Sequence, residues 1–342
     1  MKKRLSIVLC MTLMATSLLA GCKKKEEAPE PTETVSEAEP ETETKTKTGK
    51  DGMARSYLTG EWIDKDLAKK KPVAIMIGNT NDALPQYGLS QADVLYEAPA
   101  EGGITRLMPI FQDYSGLDKI GSVRSCRHYY AYYAMEFDAI YIHYGQAIYA
   151  TELLESGKVE DLNGLEGAID SATFYRDKSR KAPHNAFVST DGIDAGIELK
   201  GYDTELPSDY EGHYQFNEDD EKEIELTDGA DAAVVQPGYY VNNPWFVYSS
   251  EDGLYYRFQY KKEHMDENTG TQLAFKNILL QYCDYTKLDD AHGYLDVEST
   301  GEGTGKYITN GKVIDVTWKK ASENEPTRYY DASGNEITLN QG

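Results

Sequence analysis

Short apolar runs alternate with helix-like segments between residues 55 and 205. Residues 73–77 are apolar and β-branched and end at Gly78-Asn79, which is typical of a buried strand. Residues 127–137 instead place apolar side chains at helical spacing. Strands that alternate with helices predict an α/β domain, so we expect a mixed sheet with flanking helices here. Further strands are predicted at 94–96, 104–111, 120–123, 139–143 and 186–189, and further helices at 147–155 and 192–199.

The pattern changes over residues 230–342, where short alternating runs are separated by turn pairs. Asp252-Gly253 and Asn310-Gly311 lie between such runs, and these pairs are strong hairpin signals. We therefore predict a mostly antiparallel β domain, in which His264-Met265-Asp266 forms a turn. The preceding segment, 206–229, is acidic and lacks apolar periodicity, so it is predicted to be a solvated connector.

The first residues have the layout of a bacterial secretory signal. Cationic residues 2–4 precede an apolar run over residues 5–19, which is shorter than the roughly 20 residues needed to cross a bilayer. The run leads into Leu-Ala-Gly-Cys, which resembles the lipobox in which the cysteine is acylated. We expect residues 1–21 to be a signal peptide and Cys22 to carry a lipid of the palmitate class. The chain would then be anchored to the extracytoplasmic face of the cell membrane.

Residues 22–54 are predicted to be a disordered tether. The segment from Lys23 to Lys50 consists almost entirely of Lys, Glu, Thr, Pro and Ser and has no aromatic residue. Such a composition buries too little apolar surface to offset the entropy of ordering. A flexible chain of this length spans about 30 Å on average, which places the folded part in the cell-wall zone.

Charge narrows the possible partners. The chain has 35 Lys+Arg and 58 Asp+Glu, a formal net charge of −23. A surface this negative argues against nucleic acid and against adhesion to anionic headgroups, so the lipid rather than charge is expected to hold the chain to the membrane. Cys126 and Cys283 fall in different predicted domains, and we expect two unpaired thiols.

Basic and polar side chains collect in three predicted loops of the α/β domain. Residues 121–128, Gly-Ser-Val-Arg-Ser-Cys-Arg-His, lie between a strand and a helix. A helix N-terminus and guanidinium groups both favour carboxylate or phosphate, so Arg124, Ser125 and Arg127 form a candidate anion site, which we call the Arg-Ser loop. The alternative is that these arginines pair with internal carboxylates such as Glu97 or Glu101.

The two other loops contain His143 at a strand end and the residues around Pro183-His184-Asn185. Open α/β sheets bind ligands at strand ends, so we predict that the three loops meet in one pocket. A single His at a strand end is nevertheless more often structural. The predicted ligand-binding residues are Arg106, Arg124, Ser125, Arg127, His143, Arg176, His184 and Asn185.

The same loops allow an enzymatic alternative, a hydrolase or transferase acting on cell-wall polymer. Ser125 or Cys126 would be the nucleophile, and His143 or His184 the base. The chain has no Gly-x-Ser-x-Gly or His-Glu-x-x-His motif, and its six His are scattered. No catalytic residue, metal site or cofactor is therefore predicted. A second alternative is a structural scaffold, which an exposed apolar or Tyr-rich patch without a polar cleft would favour.

Long motifs extend over nearly all of the chain after the tether. They are residues 72–77, 88–93, 96–98, 101–106, 121–125 with Arg127, 183–185, Arg257, His264, Asp266, 277–279, 311–312 and 317–320. These motifs resemble the YerB-type lipoproteins of Gram-positive bacteria, a family of unknown function. The resemblance implies a lipobox, an α/β domain and a β-rich C-terminal domain, and it carries no catalytic residue. Ser122 and Cys126 stand where the family usually has Pro and Ala, and the family is expected to continue beyond Gly342 with a short Trp-containing strand.

The expected function is that of a non-enzymatic binding or accessory protein of the cell envelope. Its Arg-Ser loop would hold an anionic ligand, because guanidinium groups pair with carboxylates and phosphates. The candidate partners are peptidoglycan stem peptides, teichoic acid phosphates or a wall-synthesis protein.

Overall fold

The structure is a computed structural model that describes residues 51–289 and 291–342. The predicted signal peptide, Cys22 and nearly all of the predicted tether lie outside the described residues. The described residues all belong to one compact unit. Among them, no helix combines the length and the apolar character that a membrane span requires.

The first part of the chain is built on a six-stranded mixed sheet. Its strand order is β4-β6-β3-β8-β9, with β5 paired to β6. Strands β3, β8 and β9 are parallel, and β6 runs antiparallel to β3, β4 and β5. The elements are β1 (Met53–Arg55), β2 (Trp62–Asp64), β3 (Val73–Ile75), β4 (Ile77–Gly78), β5 (Val94–Pro99), β6 (Thr105–Phe111), β7 (Ile120–Gly121), α1 (His128–Met135), β8 (Ile140–His143), α2 (Thr151–Glu155), β9 (Asp161–Asn163), α3 (Gly167–Thr173), β10 (Phe174–Arg176), β11 (Ala186–Val188) and α4 (Thr190–Lys200).

Side chains of β3 alternate between two apolar clusters, one on each face of the sheet. Ile75 packs in a cluster that includes Ile193 and Ile197 of α4. Ala74 packs in the other cluster, which contains the tyrosines of α1. The mixed sheet is thus confirmed, but the helices are few and short, and α2 has only five residues. Residues of the later β region, such as Val297, pack in the same apolar cluster as α1. These residues cover part of the sheet face that helices alone would cover in a simple α/β layer.

The second part is mostly antiparallel β, as predicted. One sheet has the order β13-β25-β24-β21, with β26 on β25, and another has the order β14-β15-β16-β17, with β20 on β16. The elements are β12 (Gln215–Phe216), β13 (Ala230–Asp231), β14 (Val234–Val235), β15 (Trp245–Ser249), β16 (Leu254–Gln259), β17 (Lys262–Glu263), β18 (Met265–Asp266), β19 (Thr271–Gln272), β20 (Ala274–Phe275), β21 (Asn277–Gln281), β22 (Tyr285–Lys287), β23 (Leu295–Val297), β24 (Gly301–Thr309), β25 (Lys312–Lys320), β26 (Arg328–Tyr330) and β27 (Thr338–Leu339).

The segment 206–229 is not simply a solvated connector. Strand β12 pairs in parallel with β27 near the C-terminus. His213 is buried, stacks on Phe137 with ring centroids 4.3 Å apart, and lies 2.5 Å from Glu136 Oε2 through Nε2. Local composition does not indicate this burial, because Glu136 and Phe137 lie more than 70 residues earlier in the chain than His213.

A second buried polar group joins early and late residues around the predicted turn at 264–266. Asp266 is buried, and its carboxylate accepts hydrogen bonds from the backbone N–H groups of Gly88, at 2.9 Å, and Ser90, at 2.8 Å. Arg257 Nη2 donates to Glu97 Oε2 at 2.7 Å, and Arg257 Nη1 donates to His264 Nδ1. The prediction of a simple turn is therefore wrong, because these residues bond to the sheet region.

Candidate functional site

The Arg-Ser loop crosses the carboxyl ends of two parallel strands of the main sheet. The backbone N–H of Arg124 donates to the carbonyl of Met76, just after β3, at 2.8 Å. The carbonyl of Arg124 accepts from Tyr144, just after β8, at 2.9 Å, and Cys126 N–H donates to Gly145 at 2.8 Å. The loop thus lies at the edge of the sheet where open α/β proteins bind ligands.

Two glycines allow this close approach. Gly121 has φ +149, and a Cβ there would lie 2.7 Å from Phe187 Cδ1. Gly145 has φ +76, and a Cβ there would lie 3.5 Å from Ser125 Oγ. Both backbone conformations favour glycine over residues that carry a side chain. The sequence therefore needs glycine on both sides of the Arg-Ser loop for the loop to reach the sheet.

The three predicted loops meet in a ring of contacts. Arg124 Nη1 donates to the carbonyl of Pro183 at 2.9 Å. Arg176 Nη1 donates to Asn185 Oδ1 at 2.9 Å, and its guanidinium carbon lies 4.1 Å from the centroid of the Tyr144 ring. The backbone N–H of Tyr144 also donates to the Arg124 carbonyl, so these contacts form a closed circuit through the three loops. The structure thus brings Arg124, Ser125, Arg176, His184 and Asn185 to one surface.

Arg127 and Arg106 are buried behind this surface and have internal partners. Arg127 forms two hydrogen bonds with the Glu101 carboxylate, one of them Nε to Oε2 at 2.9 Å, and donates to the Cys126 carbonyl. Arg106 donates to the Ser125 carbonyl and lies 3.4 Å from Glu101. Burial and the neighbouring Arg127 lower the pKa of Arg106 to about 10. Internal pairing is therefore the observed state of Arg127, and both arginines support the loop from within.

Arg124 differs because it has no ion pair with any carboxylate of the described residues. It is half-buried, and its side chain makes only the Pro183 hydrogen bond within the described part of the chain. Burial and the charge of Arg127 lower its pKa. Arg106 and Arg127 share the carboxylate of Glu101, so these two guanidinium groups already carry one positive charge more than the partner they share.

His184 and Ser125 border Arg124 with unused polar atoms. His184 Nδ1 is buried and has no hydrogen-bond partner among the described residues, and burial and Arg124 lower the pKa of this imidazole. Ser125 Oγ likewise forms no hydrogen bond with the residues that the structure describes. Buried polar atoms are normally satisfied, so the unpaired Nδ1 of His184 is an exception to that rule.

His143 lies beneath the loop rather than on the surface. Its side chain is fully buried, with Nδ1 2.8 Å from the Gly145 carbonyl oxygen and Nε2 2.9 Å from Asp161 Oδ2. Both ring nitrogens are therefore occupied within the protein. The prediction placed it in the pocket because β8 ends at the correct edge of the sheet, but its side chain points into the interior.

The Ser–His hydrogen bond of the predicted hydrolase alternative is not formed among the described residues. Ser125 makes no hydrogen bond to His143 or His184 there, although a general base must come within reach of its nucleophile. Cys126 is fully buried and unpaired, and burial raises the pKa of its thiol to about 12. The described residues also contain no group of His, Cys, Asp and Glu that could hold a metal ion.

Cys126 is expected to resist thiol reagents in the native protein, because a buried thiol with a raised pKa forms little thiolate. A Cys283→Ser variant at pH 8, treated with an aromatic disulfide reagent, should show labelling of Cys126 only after unfolding in guanidinium. Peptide mapping by mass spectrometry identifies the site. Rapid native labelling of Cys126 would contradict its burial.

One cavity of the described residues is lined by none of the residues of the Arg-Ser loop. Its volume is about 830 Å³, and acidic residues line it, among them Glu136, Glu160, Asp209 and Glu325. An anion would be repelled there, since like charges are disfavoured.

Comparisons with known proteins agree with this architecture. Residues 58–203 match the N-terminal domain of the DUF3048 family of proteins of unknown function, and residues 234–342 match its C-terminal domain. The chain belongs to this family. It is 31% identical over 327 residues to "Putative lipoprotein YerB" of Bacillus subtilis (strain 168), covering 94% of this chain and 88% of that protein.

A solved member of the family has the same fold. The crystal structure of YerB protein from Bacillus subtilis aligns with a TM-score of 0.72 and 30% sequence identity, over 84% of this chain and 94% of that chain. The resemblance to YerB-type lipoproteins inferred from the sequence motifs is thus confirmed.

Proposed function

We propose that this chain is a lipid-anchored extracytoplasmic binding protein that holds an anionic group of a cell-wall component at its Arg-Ser loop. The observation that carries the proposal is the state of Arg124, half-buried at the ligand-binding edge of the sheet without a carboxylate partner among the described residues. In a chain of net charge −23, acidic side chains are abundant, so an unpaired arginine at this position calls for a functional explanation.

The donors around Arg124 suit a carboxylate or a phosphate. Only Nη1 of this guanidinium is bonded within the described residues, so its other N–H groups can form a two-bond fork with an anion. The next residue, Ser125, has a hydroxyl that forms no hydrogen bond with the described residues and is a further possible donor. Arg106 and Arg127 strengthen the positive potential from behind, because Glu101 neutralises only one of the three charges.

The first residues and the relative support the proposed location. The lipobox-like sequence that ends at Cys22 is the feature expected of a palmitate-type lipid anchor, and the Bacillus subtilis relative is named as a lipoprotein. A tethered protein reaches cell-wall polymer close to the membrane. Its anionic groups are the carboxylates of peptidoglycan peptides and the phosphates of teichoic acid.

Arg124→Gln is expected to weaken anion binding by about 10- to 100-fold, because hydrogen bonds to charged groups contribute about 1.5–3 kcal/mol. Isothermal titration of the purified protein with soluble muropeptides and with teichoic acid, at low salt, measures the loss. Arg127 is unsuitable as a probe because its removal would leave Glu101 without its main partner.

Lys319→Gln is the matched control, since it removes one positive charge from an exposed position on β25. Its affinity for the same ligands should equal that of the wild type. If Arg124→Gln binds both ligands with unchanged affinity, the Arg-Ser loop is not the anion site.

A further inference from the structure

We infer that Gln86 is a positioning residue of the anion site, through which the C-terminal part of the chain fixes the place of the Arg124 side chain. Gln86 binds the backbone at Gly78, on which Arg124 rests, and is itself bound by His264. The inference rests on the proposed function and goes further, because it gives a role in that site to a contact between residues 178 positions apart in the chain.

The side chain of Arg124 lies directly on Gly78. Ile77 and Val123 form an antiparallel bridge, and beside it Gly78 N–H donates to the Ser122 carbonyl at 3.0 Å. A Cβ on Gly78 would lie 3.0 Å from Arg124 Cγ and 3.4 Å from Cδ, so the stem of the arginine passes over a residue that has no side chain. A displacement of the backbone at Gly78 therefore displaces Arg124.

Gln86 holds this part of the backbone in place. Its side chain is buried, and Nε2 donates to the Gly78 carbonyl at 2.7 Å and to Asn79 Oδ1 at 3.1 Å. A primary amide has two N–H groups, so Gln86 uses both donors on these two adjacent residues. Gly78 is thus fixed through its carbonyl by Gln86 and through its N–H by Ser122.

His264 sets the direction in which the Gln86 amide points. Burial and Arg257 hold the pKa of this imidazole well below 6.5, so the ring is neutral. His264 Nδ1 accepts from Arg257, which can only donate, and the ring proton therefore lies on the other nitrogen. The neighbours of that nitrogen are Gln86 Oε1 and the Gln259 amide nitrogen, and only the first can accept. The amide nitrogen of Gln86 is consequently left to face Gly78.

The C-terminal part of the chain thus holds Gln86 by both side chain and backbone. Arg257 lies on β16 and His264 directly follows β17. The backbone N–H of Glu267 also donates to the Gln86 carbonyl at 3.0 Å. A binding site keeps its affinity only when its contact residues are held within about 0.5 Å of the productive geometry. Loss of the Gln86 support should therefore weaken an anion bound by Arg124.

Gln86→Met is the first test, because methionine is similar in length and has no donor for the Gly78 carbonyl. We expect the full-length variant to bind soluble muropeptides or teichoic acid, whichever the wild type binds, about 3- to 10-fold more weakly in isothermal titration at low salt. Gln86→Glu is a second variant, which keeps an acceptor for His264 and lacks the donors. It should show a similar loss.

Gln112→Met is the matched control. Gln112 is a second buried glutamine whose amide nitrogen donates to two backbone carbonyls, those of Leu67, at 3.1 Å, and Lys70. It follows β6 beside the first residue of β3, whereas the Arg-Ser loop lies beyond the last. The control should lower the thermal unfolding temperature about as much as Gln86→Met and leave the affinity for muropeptides and teichoic acid unchanged.

A double-mutant cycle separates positioning from loss of stability. In the Arg124→Gln background, Gln86→Met should cause no further loss of affinity, because the support acts through the Arg124 side chain. Partial unfolding would instead reduce the number of binding sites per molecule in both backgrounds and leave the affinity of the folded molecules unchanged.

Gly78→Ala tests the same contact without altering the hydrogen bonds of Gln86. The added Cβ would lie 3.0 Å from Arg124 Cγ and 3.2 Å from Ala83 Cβ, so the stem of the arginine must shift. The affinity should fall at least about threefold, and only while Arg124 is present. Unchanged affinity in this variant would overturn the inference even if neither Gln86 variant folds.

The outcomes differ for the two proposals. If Arg124→Gln weakens binding but the Gln86 variants bind as well as the wild type, or lose as much affinity in the Arg124→Gln background, the positioning role is wrong and the anion site remains. If the wild type binds neither muropeptides nor teichoic acid, or Arg124→Gln binds them equally well, the anion site itself is wrong and the positioning role is excluded with it.

Discussion

Glu97→Gln is expected to lower the free energy of unfolding by about 3–5 kcal/mol, the usual effect of breaking a buried ion pair from one side. Glu97 Oε2 accepts from Arg257 at 2.7 Å, and Oε1 accepts from Thr105 Oγ1 and Asn242 Nδ2, each at 2.7 Å. Arg257 is almost fully buried. The amide would leave this guanidinium in the interior without its countercharge.

Urea unfolding followed by tryptophan fluorescence measures the loss. The matched control is Glu302→Gln, whose side chain is 77% exposed and 4.0 Å from Lys319. It should change stability by less than about 1 kcal/mol, as exposed ion pairs do. The double variant Glu97→Gln with Arg257→Met should recover part of the loss, because it removes the stranded charge. A loss below about 1 kcal/mol in Glu97→Gln would show that the Glu97–Arg257 ion pair does not stabilise the contact between β5 and β16.

Glu136→Gln is expected to have a comparable effect, also about 3–5 kcal/mol, at the other buried polar group. Glu136 Oε1 lies 2.8 Å from Lys320 Nζ, and Oε2 accepts from the Thr327 backbone at 3.0 Å and from His213 Nε2. These three ionisable side chains are fully buried. The variant would keep the shape of the side chain but leave Lys320 without a countercharge.

The same group makes stability depend on pH. Burial lowers the pKa of His213 from 6.5, so the unfolded chain takes up a proton there first as the pH falls. Burial also disfavours the charge of Glu136, but the His213 hydrogen bond and the charges of His213 and Lys320 outweigh it and lower its pKa from 4.5. Groups with lowered pKa stabilise the fold above their unfolded pKa, and this contribution is lost on acidification.

Urea unfolding at several pH values tests this expectation. The wild type should lose stability progressively as the pH falls below about 6.5, and again near 4.5. His264 adds to the first step, because burial and Arg257 hold its pKa well below 6.5. The second step should be smaller in Glu136→Gln, which has no carboxylate at this position. An identical acid profile in the variant and the wild type would contradict the role of Glu136.

Most elements of the fold follow from local pattern. The strand predicted at 104–111 is observed as Thr105–Phe111, and the helix predicted at 127–137 as His128–Met135. Apolar periodicity is a property of neighbouring residues, so it is readable without the rest of the chain. Strand Asp161–Asn163 is not predicted, because three residues with two polar side chains carry no such period.

Local sequence pattern is less accurate where the structure of a segment depends on residues far away in the chain. Residues 301–305 contain three glycines and still lie in β24, where the Trp318 ring occupies the place of a side chain on Gly303. His264 and Asp266 have the pattern of a turn, but their partners Gln86 and Gly88 are 178 residues earlier in the chain. No local window contains both members of such a pair.

The sequence by itself determined the family, the mixed and antiparallel sheets, and three polar loops at strand ends. Only the tertiary structure decided which of the polar residues pair with one another. Arg127 pairs with Glu101, and the buried His143 is hydrogen-bonded to Asp161. Arg124 has N–H groups without a partner among the described residues. The physical reason is that pairing and burial of charge depend on distances between groups far apart in the chain, which composition and periodicity do not contain.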